Sequence, residues 1–350
     1  MTSDGPRVGY AVGPTIPDPI SAAVDRAKKL EAAGFDSVWL PDHLLVTPRG
    51  FMPEAWTLLT TLAHHTDDIR LATGVTDPHR RGPGLLAQSA ATLDHVSDGR
   101  FTLGIGPGEA MSLDPFGYEW DRPVSKMVET VEIVRRLWAG ETFDYDGEFF
   151  QLEDAFLQIV PEHAIPIYFG ANGPRTRTLS GRLADGWYPI MESPETYRTH
   201  LEDVEDGLSD ADRDRSDINL GLQIPAGVTD DKEELHRLRT YTASTLALVP
   251  GKLEAAGYDV EFPDDLLANY FEDHLPDEES EQHALELAQH VPPEAADEFG
   301  IFGTPEECIE QIESFVDAGV THFALMNMSS DPEGTIEAFG EDILPHVSDG

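Results

Sequence analysis

Four short windows of this chain carry side chains suited to acid–base or anion chemistry, and each follows an apolar run. Pro41-Asp42-His43 sets a carboxylate beside the one side chain that titrates near neutrality, so His43 is a candidate proton donor or acceptor, or else a structural histidine. Gly104-Ile105-Gly106-Pro107-Gly108-Glu109 combines glycines, which let backbone approach a flat ligand or a phosphate, with a carboxylate. Glu109 is either a second proton-handling group or a solvated turn residue. Arg80, Arg81, Arg175, Arg177 and Arg182 fall in two small windows of a chain with only 23 lysines and arginines. Guanidinium groups suit phosphate and carboxylate, so an anionic ligand tail would explain the clustering, as would pairing with local acids.

Other chemistries lack their residues. The first apolar run carries no His-x-His, and His64-His65 lies late in a helical pattern where adjacent side chains diverge, so no metal site is expected. No Gly-x-Ser-x-Gly elbow or Walker loop is present, and the glycines near Gly106 lack the last glycine of a dinucleotide fingerprint. The single cysteine, Cys308, excludes an internal disulfide framework and any multi-cysteine metal site.

The elements that must position these windows alternate between short apolar runs and helical patterns, the signature of βαβ units around a parallel sheet. Strands are predicted at Val8 to Val12, Ser37 to Leu40, Arg70 to Val75, Phe101 to Ile105, Ile167 to Ala171, Gly186 to Ile190, Ile218 to Ile224 and His322 to Met326. Eight is the number that closes a (β/α)8 TIM barrel, whose active face lies at the strands' C-terminal ends. Helix starts are marked by Thr304-Pro305-Glu306-Glu307, Ser193-Pro194-Glu195 and Asp18-Pro19, and helix ends by Ala33-Gly34 and Ala318-Gly319. One domain spanning 1–350 is expected, interrupted by a hairpin-like insertion at 140–162 and a longer one at 229–298. The latter is either a helical lid over the catalytic mouth or an acidic linker.

Composition bounds the setting. Sixty-six acids against 23 bases give a formal charge of -43, which repels nucleic acid and anionic lipid and calls for screening salt, as in a halophile. No apolar run is long enough to span a bilayer and no export signal is recognised, so a cytoplasmic enzyme of small molecules is expected, with no nucleic-acid or membrane partner.

Taken together, Asp42-His43-Leu44, the segment Arg70 to Arg81, Ala87-Gln88-Ser89-Ala90-Ala91-Thr92-Leu93-Asp94, Ser97-Asp98-Gly99-Arg100, the run Leu103 to Glu109, Gly173-Pro174-Arg175, Ala184-Asp185-Gly186-Trp187 and Gly303-Thr304-Pro305-Glu306 resemble the luciferase-like superfamily. Specifically, they resemble its branch dependent on the deazaflavin coenzyme F420. Phe116-Gly117-Tyr118-Glu119-Trp120 and Val249-Pro250-Gly251 look most like its phthiodiolone ketoreductases, with glucose-6-phosphate dehydrogenases and methylenetetrahydromethanopterin reductases more distant. The resemblance implies a TIM barrel of the bacterial luciferase type with insertions at its C-terminal face. It implies Asp42 and His43 at the border of the deazaflavin ring, with Glu109 across the pocket, and a backing of Thr73, Gly74, Val75 and Thr76 with a non-proline cis peptide at Gly74-Val75. Gly106, Pro107 and Gly108, with Ala171, Asn172 and Gly173, would line the ring and phosphate tail. Hydride exchange with a carbonyl or alcohol is the implied reaction, His43 and Glu109 handling the proton. An FMN-dependent monooxygenase and a methylenetetrahydromethanopterin reductase-like activity are the alternatives, and a homodimer is expected. A tryptophan typical of the sugar-phosphate members is replaced by Thr47, and their phosphate-binding cations have no counterparts in the acidic stretch leading to Phe299, which disfavours glucose 6-phosphate.

Overall fold

A computed structural model of the chain describes residues 5–12, 20–45, 52–263 and 278–347. Asp18-Pro19 and Thr47 lie outside the described residues. The strands are β1 (Arg7–Ala11), β2 (Ser37–Leu40), β3 (Arg70–Thr73), β4 (Phe101–Ile105), β5 (Phe143–Asp146), β6 (Gln151–Ala155), β7 (Ile167–Phe169), β8 (Gly186–Trp187), β9 (Asn219–Val228), β10 (Ile301–Gly303) and β11 (His322–Asn327). Eight of them, in the order β9-β11-β1-β2-β3-β4-β7-β8, close because β9 pairs with β8 as well as β11, and every pairing is parallel. The chain is a (β/α)8 TIM barrel. Its strands are buried on both faces by the lumen and the helical ring, which is why they read as unbroken apolar runs.

The lumen is a packed core. Ala11, Trp39, Ala72, Tyr168, Tyr188 and Ala324 form one buried cluster, with Trp39 stacked on Tyr188 at a centroid distance of 4.3 Å. The helices outside it begin and end where the capping chemistry says. Thr304 accepts from the backbone N–H of Glu307 and Ser193 from that of Thr196, while Gly34 and Gly319 adopt positive φ angles of 88° and 113° just past their helices.

Strands β3, β7 and β8 end earlier than expected, at Thr73, Phe169 and Trp187, and two further elements differ from the sequence expectation. The run ending before Pro225 continues through it to Val228, because a proline removes only one donor and β11 still pairs through Asn327↔Ala226. Beyond Gln223 the free edge of β9 is taken by β10, a three-residue strand too short to show a period.

Residues 143–155 form an antiparallel hairpin, Tyr145 opposite Leu152 and Asp146 opposite Gln151. The described parts of 229–298 are helical: Lys232–Ala247, Pro250–Ala255, Glu278–Leu287 and Pro293–Glu298. They surround an apolar core of their own, with Leu246, Leu253, Leu287 and Phe299, and Met191 from the C-terminal end of β8 packs into it. A buried core is not the property of a linker. Among the described residues no helix is long and apolar enough to cross a membrane.

Candidate active site

The C-terminal ends of β2, β3 and β4 come together through the backbone: Leu40 pairs with Thr73, Gly74 donates to the Leu40 carbonyl at 2.7 Å, and Gly106 donates to that of Thr76 at 2.8 Å. The Gly74–Val75 peptide between them is cis. This framework brings His43 and Glu109 into contact, Nδ1 to Oε2 at 3.5 Å, each side chain about one-fifth exposed. Glu109 stands at the N-cap of the short helix Ala110–Leu113, yet its carboxylate makes no capping bond and turns to the imidazole instead. Where the resemblance implies the two groups on opposite sides of a ring, here they are in direct contact. They present a single polar edge.

Asp42 is tied into the scaffold. Its carboxylate, 3% exposed, accepts from Trp56 Nε1 at 3.0 Å, Thr76 Oγ1 at 2.7 Å and Arg80 at 3.1 Å. Burial alone would raise its pKa, but the Arg80 guanidinium and the Thr76 hydroxyl outweigh that and hold it below the usual carboxylate value. Of the roughly four lone-pair sites a carboxylate offers, the scaffold takes three. These bonds lock the turn that carries His43.

The inner faces of the remaining residues are likewise occupied. Thr73 Oγ1 exchanges hydrogen bonds with the backbone of Gly104, at 2.7 and 3.0 Å. Pro107 offers its carbonyl to His79 Nε2 and Trp120 Nε1, Ala171 to Trp187 Nε1, and Asn172 Oδ1 accepts from the N–H of Ile190. Gly173 donates to Thr176 Oγ1 at the head of the helix Pro174–Leu183. Gly106 and Gly170 face the Val75 side chain: a Cβ at Gly106 would sit 2.8 Å from Val75 Cγ2, and one at Gly170 3.2 Å from it. Their missing side chains make room for Val75. Gly108, at φ 77°, needs glycine for its backbone.

The arginine windows divide. Arg80 binds Asp77 and Asp42, Arg81 binds Glu54, and Arg177 binds Asp203 at 2.7 Å, so local acids claim these three. Arg175 is exposed and donates to Ser125 Oγ at 3.0 Å, close to where Lys126 approaches His79 Nδ1 at 3.4 Å. Burial first, and Lys126 second, push the His79 pKa down, so it stays neutral and donates to Pro107. Lys126 and His79 escaped sequence reasoning because the lysine starts a helix far from any strand end.

Glu192, Lys252 and His200 were missed too. Glu192 follows β8 and is fully buried. It accepts from Lys252 Nζ at 2.9 Å, Thr196 Oγ1 at 2.7 Å and His200 at 3.1 Å. A strand-end carboxylate followed by a cap-and-proline pattern was the signal available. Cys308 is buried, and desolvation with Glu307 nearby pushes its thiol up to about 12, leaving it unreactive.

The barrel fold agrees with what the chain is similar to. A model of the family described as luciferase-like monooxygenase matches residues 2–322. An F420-dependent glucose-6-phosphate dehydrogenase of Microbacterium testaceum is 32% identical over 91% of this chain and 90% of its own length. A phthiodiolone/phenolphthiodiolone dimycocerosates ketoreductase of Mycobacterium kansasii is 34% identical over 85% of this chain and 88% of its own. Among solved structures, an F420-dependent secondary alcohol dehydrogenase in complex with an F420-acetone adduct superposes with a TM-score of 0.81 at 28% identity, covering 98% of this chain and 99% of that one.

Proposed function

The chain belongs to the luciferase-like monooxygenase family, and from that premise we propose that it is an F420-dependent oxidoreductase moving a hydride between the deazaflavin and a neutral carbonyl or alcohol. The observation that carries this reading is the His43–Glu109 contact. It is a polar pair at the C-terminal end of the barrel strands, partly exposed, on side chains that have no other side-chain partner among the described residues. Around it Asp42, Thr73 and Asn172 already hydrogen-bond into the scaffold.

The donor set fits a flat ring with an anionic tail. Val75, cradled by Gly106 and Gly170, and the backbone of Gly74 and Thr76 would back the ring, and Pro107, Gly108 and Ala171 to Gly173 would border it. Arg175 and Lys126 are the cations placed to hold a phosphate tail. A bound deazaflavin supplies hydride exchange while reacting slowly with oxygen. The protein's part is to orient the substrate and to move one proton. Whichever of His43 and Glu109 exchanges it with the substrate oxygen, the other stands in contact to balance the change of charge.

A neutral substrate is favoured over a sugar phosphate because Lys252, the cation that the 229–298 insertion brings to the rim, is paired with buried Glu192. A free phosphate there would have to displace a carboxylate. The test is a spectroscopic titration of purified protein in molar salt with F420 and, separately, FMN, followed by a panel of ketones, secondary alcohols, glucose 6-phosphate and methylenetetrahydromethanopterin. Saturable F420 binding with hydride exchange to a ketone or alcohol is expected. Binding of FMN with oxygen uptake overturns the reading.

A further inference from the structure

At the opposite end of the barrel from His43 and Glu109, the N-terminal ends of the strands enclose a cavity of about 320 Å³. Two arginines line it, Arg7 at the start of β1 and Arg70 at the start of β3, with Thr102, Tyr168, Asn219 and His322. In a chain where 66 acids face 23 bases, the half-buried or buried cations Arg80, Arg177 and Lys252 each have a carboxylate against them. Arg7 and Arg70 do not. Among the described residues neither has a carboxylate within ion-pair distance. Asp36, the acid whose pKa Arg7 influences, gives its carboxylate to the backbone N–H of Val8.

The two guanidiniums are held ready. One nitrogen of Arg7 is fixed by Asn219 Oδ1 at 2.6 Å and by the Tyr168 hydroxyl at 3.3 Å, leaving most of its five donors over. Arg70 makes only long contacts, 3.4 Å to Thr102 Oγ1 and 3.5 Å to the Phe101 carbonyl, at the limit of a hydrogen bond. Desolvation, and then Arg7 itself, push the Arg70 pKa down, so the two cations are close enough to repel. Below them His322 is buried with its Nδ1 unpartnered. Ser37 Oγ accepts from Trp39 Nε1 and meets His322 Nε2 at 2.9 Å. Giving its single hydrogen to Nε2 leaves the imidazole N–H on Nδ1, one more donor without an acceptor.

We infer that this N-terminal mouth is a second ligand site, remote from the catalytic one, that takes a small oxyanion, a phosphate or carboxylate group, between Arg7 and Arg70. Charge half-buried without a counter-ion is poorly solvated, and an anion satisfies both guanidiniums at once, bidentate contact being what their planar forks favour. The site is built from strand starts, so it forms only when the barrel closes, and a bound anion would stabilise the fold by mass action.

The test is isothermal titration of the full chain with inorganic phosphate at fixed ionic strength in potassium chloride. Acetate, sulfate and glycerol phosphate serve as parallel titrants to separate free from esterified and carboxylate sources. Wild type is expected to bind phosphate saturably. Arg70→Gln is expected to weaken it about tenfold or more, the loss of one charged hydrogen-bonding partner. Asn219→Asp, which keeps the side-chain shape and puts a carboxylate on Arg7, is expected to do the same even if Arg70→Gln folds poorly. Both variants should bind F420 as wild type does. Failure of wild type to take up any of the four anions, or unchanged phosphate affinity in Asn219→Asp, overturns the inference. The F420 titration alone reports on the proposed function.

Discussion

Glu192 and Lys252 form a buried ion pair at 2.9 Å that ties the 229–298 insertion to the C-terminal end of β8. Both side chains are largely removed from water, 1% and 14% exposed, so the pair is poorly screened and each charge depends on the other.

The acid limb of stability should report this pair. Desolvation raises the Glu192 pKa, but Lys252 and His200 outweigh it and bring the carboxyl down to about 2. A group whose folded value is depressed contributes stability above its unfolded value, near 4.3, and loses it as pH falls toward the folded one. The contribution is on the order of 3 kcal/mol at neutral pH. Glu192→Gln should therefore lower the denaturation midpoint at pH 7, and the gap from wild type should close as pH falls from about 4 to about 2. A gap independent of pH would show that the carboxylate's charge is not what the insertion depends on.

His43 and Glu109 should behave as one unit. His43→Ala and Glu109→Gln should each lower turnover by roughly 10²-fold while sparing F420 affinity, and the double variant should lose little more than either single. Steady-state kinetics with a cofactor titration on all four proteins checks this. Full additivity would mean that the 3.5 Å contact is not used in the reaction.

Salt should stabilise the chain. With a formal charge of -43, self-repulsion acts over about 10 Å in 0.1 M salt and about 3 Å in 1 M. Raising potassium chloride between those concentrations should raise Tm by several degrees, which calorimetry measures against a neutral osmolyte as control. An unchanged Tm would mean that the excess charge is already compensated within the fold.

What was legible in the sequence follows a physical division. The eight barrel strands and the capped helices could be read because burial on both faces and local capping leave marks within a few residues, as at Thr304 and Ser193. β10 escaped because three residues carry no period. At the site, residue type and place on the rim picked out His43 and Glu109, but not their mutual distance, which depends on Asp42, Thr76 and Arg80 fixing the β2 turn. Arg80 and Arg177 were legible as cations and not as partners, since the acids they bind, Asp42 and Asp203, are neighbours only in the fold.

The glycines beside β4 offer a last test, because two explanations for them give opposite results. Sequence reasoning assigned Gly106 to close approach of a ligand, whereas in the structure its missing Cβ faces Val75 Cγ2, 2.8 Å from where a methyl would stand. Gly106→Ala should overpack that slot and cost about 1–3 kcal/mol. Val75→Ala removes the opposing methyls, so Gly106→Ala/Val75→Ala should recover much of the loss, a coupling that chemical denaturation of the four proteins resolves. If Gly106→Ala instead leaves stability intact and weakens F420 alone, the glycine serves the ligand directly and the packing explanation fails.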